Sequence, residues 1–322
     1  MDKRVRIEKG FILHRIFSYL LDILLTSLFT ISLYFIVLFG VFGTCFNYVG
    51  NEFYINETLK ENDLTLSDNL SYEKYEEVIQ HFYFDKYSNE IIKDYEDLYK
   101  EKYTIYHIYN VVVLGLPSKV TDVTKSDYFE YVLNNDSTVN YDVVAKTIPG
   151  SGKNYEKNMH DIFYNQYKKL NNLLERYDYD YFNILSKNNL YKFISRTVAI
   201  YTSFIILFVI IPLQNKNSST FGEKKFKLGY VDGKNGYVLK KYKVILKNLI
   251  TYFIPSLGVV FFSLYSFIIL TIGWLFLNFI IMVFSSDNKD ISEKILNIES
   301  IDVEQSLVFK NKKEEEEFEK NL

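Results

Sequence analysis

The chain has 322 residues, a net charge of −3, and 48% hydrophobic and 18% aromatic content. Residues 11–46, 191–213 and 249–284 are almost entirely apolar, and each reaches the roughly 20 residues that cross a bilayer core of about 30 Å as helix, which argues against an ordinary soluble chain. The single cysteine, Cys45, excludes an internal disulfide.

The first predicted span begins after Gly10, with its membrane portion from Phe17. Lys3, Arg4, Arg6, Lys9 and Arg15 precede or open it, against Asp2 and Glu8. Lys and Arg beside spans stay cytoplasmic, so the N-terminus is expected inside. The apolar run is too long for a signal h-region and no small-residue cleavage site follows, so the span is expected to be retained.

Residues 47–190 carry 15 Lys and Arg against 24 Asp and Glu. This acidic, Tyr-rich block is expected outside as an α+β domain, large enough to bury its own core. Residues 71–103 place Tyr75, Val78, Ile79, Phe82, Ile91, Ile92, Tyr95, Leu98 and Tyr99 at helical spacing. Residues 104–116 are β-branched and aromatic and read as a strand ending at Pro117, and 139–148 as a second. Residues 155–186 read as a helix running toward the next span.

The second span is predicted over 191–213. The loop 214–248 carries nine Lys against Glu223 and Asp232, which keeps it cytoplasmic. Within it, 226–231 and 237–239 read as short strands about the Asn235-Gly236 turn. Residues 240–249 read as a basic amphipathic helix on anionic lipid of the inner leaflet. As one helix, 249–284 would be about 54 Å long, so two crossings hinged at 263–266 fit better than one long tilted crossing. Residues 285–322 read as a charged, solvated cytoplasmic tail. The fold class is thus an α-helical integral membrane protein of four spans with an inserted extracytoplasmic α+β domain.

Asp22 lies about 7–8 Å into the first span, where a carboxylate is costly and faces protein or a hydrated cavity. Arg15, two turns earlier, shares its face with Ser18, Thr26 and Thr30. Two readings compete: a proton or cation site with Asp22 titrating beside Arg15, or a buried ion pair that fixes helix packing.

Residues 15–25, with Arg15 and Asp22, resemble the first span of RDD-family membrane proteins. Thr220, Gly222 and Lys224, running on through Leu228 to Asp232, resemble that family's Thr-Pro-Gly-Lys loop and following strand. Residues 245–249, around Lys247, resemble its Leu-Leu-Arg-Asn-Leu helix, and 291–295 its segment after the last span. The resemblance covers about half the chain and none of 47–190. Phe221 replaces the family's Pro, Glu223 its Lys and Lys247 its Arg. Glu293 stands at the second aspartate, with Asp290 nearby. The resemblance implies a charged core of Arg15, Asp22 and Glu293. Because some members are linked to cation–proton exchange, it also implies transport of small cations or protons.

Other chemistry finds little support. Residues 149–153 resemble a phosphate loop but lack its first Gly and the closing Ser or Thr. His14, His81, His107 and His160 show no metal spacing, and His107 falls in the predicted strand. The acidic clusters lack a calcium-loop pattern. No enzyme, metal or cofactor is expected. Lipid, not nucleic acid, is the expected partner of the basic loop. The alternative function is non-catalytic: the outer domain binds a protein, cell-wall or other ligand, and the charges serve assembly. Transport requires a hydrated path to Asp22, whereas the binding alternative requires a sealed bundle.

Overall fold

A computed structural model describes residues 7, 9–67, 70–118, 128–147, 154–215, 217–253, 264–285 and 287–320. It is mostly helical and divides into two compact units, residues 47–189 and residues 1–46 with 190–322.

The 47–189 unit is built from helices Tyr48–Glu61, Tyr72–Gln80, Ser88–Tyr99, Ile105–Val112 and Tyr155–Tyr177. A π-helical turn, His81–Lys86, joins the second and third. Its core holds Tyr75, Ile79, Phe82, Ile108, Tyr109, Phe163, Leu170 and Leu174, all nearly inaccessible. The helical periodicity of 71–103 is met over Tyr75 to Ile91, but Leu98 and Tyr99 are exposed. Strand content is small: Phe129–Glu130 pairs antiparallel with Lys146–Thr147, and Val132–Leu133 with Val139–Asn140. The expected strand 139–148 is therefore two short pieces, and its last residue lies outside the described residues.

Residues 104–116, expected as a strand, are instead helix Ile105–Val112. Thr104 caps it by accepting the His107 N–H, and His107, Ile108, Tyr109 and Asn110 are all buried. A short helix buried on most of its faces loses its 3.6-residue signature, which is why β-branched content misleads here. The helix predicted over 155–186 is broken at Asp178, whose extended backbone ends helix Tyr155–Tyr177 and whose carboxylate accepts the Tyr181 N–H.

Among the described residues, two helices are long and apolar enough to cross a membrane: Ile12–Gly43, in the other unit, and Tyr179–Gln214, whose residues from 190 onward belong to that unit. Their outer faces display Leu13, Phe17, Leu24, Leu28, Phe193 and Ile205. A further helix, Leu264–Phe284, is apolar apart from Ser266, Thr271 and Asn278. Of the hinge expected at 263–266, residues 264–266 are helical, while Ser263 lies outside the described residues.

The polar segments between and after these helices form a folded cap. Helix Phe221–Lys225 leads into strand Leu228–Asp232, and helix Ile291–Leu296 into strand Ile298–Asp302. The two strands pair antiparallel, from Leu228 opposite Asp302 to Asp232 opposite Ile298. Residues 290–306 are thus no solvated tail: Asp290, Ser292, Glu293, Ile298, Ile301 and Ser306 are buried. Alternating apolar residues there are too few to stand out among charges, and burial is conferred by the strand opposite. Helix Lys312–Lys320 is exposed, as a charged tail should be. The Asn235-Gly236 turn forms as read, with Gly236 at φ +69° and Val238 bridging Val231.

A buried charge cage as candidate functional site

Arg15 and Asp22 sit on the inner face of helix Ile12–Phe35, 2% and 3% exposed. They do not pair with each other. The Arg15 guanidinium donates to Glu293 and, at 3.3 Å, to Asp290 Oδ2. It also donates to the Asn288 carbonyl at 2.6 Å. The ion pair that sequence could only suggest between Arg15 and Glu293 is therefore present, although Glu is one methylene longer than Asp.

Asp22 faces a different turn. It accepts the Thr220 hydroxyl at 2.5 Å, the Gly222 N–H at 2.7 Å and the Tyr252 hydroxyl at 3.0 Å. Gly222 is needed for this approach, since a Cβ there would lie 2.3 Å from the Ser18 carbonyl oxygen. Of the remaining polar stripe, Ser18 and Thr26 spend their hydroxyls on their own helix, on the Arg15 and Asp22 carbonyls.

Two capping boxes hold the acids of the cage. Thr220 accepts the Glu223 N–H while Glu223 accepts the Thr220 N–H. Asp290 and Glu293 do the same for helix Ile291–Leu296. Each reciprocal pair satisfies two orphan donors of a helix start. Each glutamate also meets a cation: Lys247 Nζ lies 2.6 Å from Glu223 Oε1, and Arg15 reaches Glu293. Lys247 stands over the Tyr230 ring at 3.7 Å, a cation–π contact strengthened by burial. Lys247 lies on helix Lys241–Asn248, read from sequence as an interfacial helix. The helix forms, but Lys247 is buried in the cage, Asn248 is buried donating to the Phe208 carbonyl, and only the helix's other face is exposed.

Burial, and then the charge of Asp290, push the Glu293 carboxyl up to about 7, with Arg15 opposing. Burial also raises Asp290, but Arg15 and hydrogen bonds from Tyr19, Ser292 and the Glu293 N–H hold it below its ordinary value. In this acid pair Asp290 keeps the negative charge and Glu293 takes the proton first.

Of the residues singled out from sequence, Arg15, Asp22, Thr220, Gly222, Lys247 and Glu293 converge in the cage. Lys224 does not; it is exposed. Sequence reasoning missed Glu223, Asp290, Tyr19 and Tyr252 as cage members. Thr220 and Asp290, each three residues before a Glu, spell the capping-box pattern and could have exposed two of them. Asn278 is buried and accepts the Ile291 N–H at 3.4 Å, tying helix Leu264–Phe284 to the cap.

Surface clefts of the 47–189 unit are formed by described residues in at least two places. One, of about 610 Å³, is lined by Glu101, Tyr103, His107, Asn134, Asn140 and Asp142 among others. The second, of about 660 Å³, includes Glu77, His81, Phe84, Asp85 and Tyr106. His107 is thus a helical residue at a cleft, not a strand residue. His81, on an exposed helix face, contacts Asp85 at 2.8 Å. Among the described residues no three His, Cys, Asp or Glu side chains are grouped to hold a metal ion. No family model, characterised protein or solved structure matches this chain.

Proposed function

We propose that this is an integral membrane protein of four spans whose buried charges lock the spans together, and whose function is recognition of a ligand or protein partner by the outer 47–189 unit. The observation that carries the lock is the coordination of Asp22. Three donors hold it, so both of its oxygens already have partners within the protein.

Four spans are supported by the cap. Gly10 donates to the Ser300 carbonyl, and Lys243 to the Leu296 carbonyl. Segments before the first span, after the second and after the last apolar stretch therefore share one side. A single crossing by 249–284 would leave 288–306 on the opposite side. The basic residues of 1–15 and 214–248 make that shared side the cytoplasm. Exposed Lys224, Lys225 and Lys241 beside Phe221 and Tyr242 suit contact with anionic lipid there.

A second reading, transport of protons or small cations, rests on the charge balance of the cage. Asp22, Glu223, Asp290 and Glu293 outnumber Arg15 and Lys247, all of them buried. Flux of protons, Na⁺ and K⁺ into inverted vesicles separates the two readings, comparing wild type with Asp22→Asn at matched expression. The lock gives no flux in either and a less heat-stable mutant. Flux that is present in wild type and lost in Asp22→Asn would replace the lock with transport.

A further inference from the structure

The cap repeats itself at a spacing of 70 residues. Ser218 and Asn288 both have positive φ, +56° and +54°. Two residues later come the N-caps Thr220 and Asp290, each with its capping-box glutamate, Glu223 and Glu293. Lys227 and Asn297 then take positive φ, +61° and +48°. Strands Leu228–Asp232 and Ile298–Asp302 follow at once.

The strand register has the matching symmetry. Tyr230 lies opposite Ser300, which occupies its own place in the other copy. Gly229 with Ile301, and Val231 with Glu299, are mates across that point. The flanking bonds obey it too: Val303 N–H donates to the Lys227 carbonyl and Gly233 N–H to the Asn297 carbonyl, both at 2.9 Å. Outside the strands, Lys9 bridges Ile301 and Val238 bridges Val231, each coming from the segment that precedes an apolar stretch. Such reciprocal contacts are those of a self-complementary two-fold interface.

We propose that residues 9–46 with 190–233, and residues 238–303, are two copies of one structural unit joined as a pseudo-dimer about the Tyr230–Ser300 pair. Each copy contributes an entry segment, a helix with a cation, an apolar return, a capped helix and a strand. The cations are exchanged: Arg15 of the first copy holds Glu293 of the second, and Lys247 of the second holds Glu223 of the first. Lys247 and Glu223 are accordingly positioning residues that correspond in role to Arg15 and Glu293, although Lys247 stands about one turn further along its helix than Arg15. The 47–189 unit is an insertion between the apolar segments of the first copy, and the second copy keeps the uninterrupted form. Asp22 belongs to the first copy alone, because the place of Thr220 is taken by Asp290 in the second, where another carboxylate would repel it.

The test uses the full-length chain in membranes. Glu223→Gln and Glu293→Gln should lower the apparent melting temperature by amounts within a factor of two of each other, and Lys247→Arg should retain the wild-type value. In a Cys45→Ser background, oxidation should cross-link Lys9→Cys with Ile301→Cys, and also Val238→Cys with Val231→Cys. The cross-links are read on protein that has never been heated, so they decide the matter if a charge variant fails to accumulate. Loss of stability confined to the Glu293 variant, or cross-linking of only one cysteine pair, would overturn the two-copy arrangement.

Discussion

Substituting Gly222 by alanine adds one methyl group at the closest approach in the cage. Its Cβ would lie 2.3 Å from the Ser18 carbonyl oxygen and 2.9 Å from Asp22 Cγ. A carbon and a carbonyl oxygen rest at about 3.3–3.6 Å, so helix Ile12–Phe35 and the 220–222 turn must part by about 1 Å. The 2.7 Å bond from the Gly222 N–H to Asp22 then passes out of range. Overpacking costs about 1–3 kcal/mol, and a hydrogen bond to a charged group contributes about 1.5–3 kcal/mol. Their combination, about 2.5–6 kcal/mol, lowers the melting temperature by about 5–24 °C at 2–4 °C per kcal/mol. The assay is the fraction of detergent-solubilised protein that stays monodisperse after heating. Gly40→Ala is the control, because a Cβ there meets nothing within 4 Å. Melting of Gly222→Ala together with wild type and Gly40→Ala would refute the close approach and the assignment of Asp22 to this turn. If both changes act through one contact, Gly222→Ala should also add less than its full cost to Asp22→Asn.

Three further outcomes follow from named contacts. The folded carboxyl of Glu293 titrates at about 7 against an ordinary 4.5, so its contribution is full below 4.5 and lost as pH rises through 7. Melting temperature should fall across that window in wild type, relative to Glu293→Gln, and parallel curves would contradict the assignment. Thr104→Val removes the cap of helix Ile105–Val112, at about 1 kcal/mol, and should raise native-state proteolysis of that segment about fivefold; a strand would be unaffected or stabilised by Val. Asn110 donates to the Val143 carbonyl at 2.7 Å and accepts the Ala145 N–H at 2.8 Å. Asn110→Leu leaves the buried Ala145 N–H unpaired, at about 1–3 kcal/mol, and hydrogen exchange at the Ala145 amide should accelerate accordingly; unchanged exchange would show that Asn110 does not hold the Val143–Ala145 segment.

Much of the charge cage could be read in advance, though not its wiring. Arg15 and Asp22 stand out because a charge in an apolar run has to be satisfied somewhere. Their seven-residue spacing suggested that they satisfy each other, yet each turns to a different loop, Arg15 to 288–293 and Asp22 to 220–222. Helical spacing fixes a common face but not which partner the fold brings to it. Glu223 was hidden because surface glutamates beside lysines are common, and only the packing of Lys247 against it makes it internal.

Local pattern alone set the apolar segments, the acidic block between the first two, the two membrane-length helices and the turn at Asn235-Gly236. These are local: hydropathy, helical period and left-handed turn residues act within a few positions. Tertiary structure decided the rest. Residues 105–112 are helical because a cap and burial outweigh β propensity. Residues 290–306 are ordered because strand Leu228–Asp232, some 70 positions earlier, supplies their partner. Pairing over such a distance depends on which surfaces meet, and no local pattern records that.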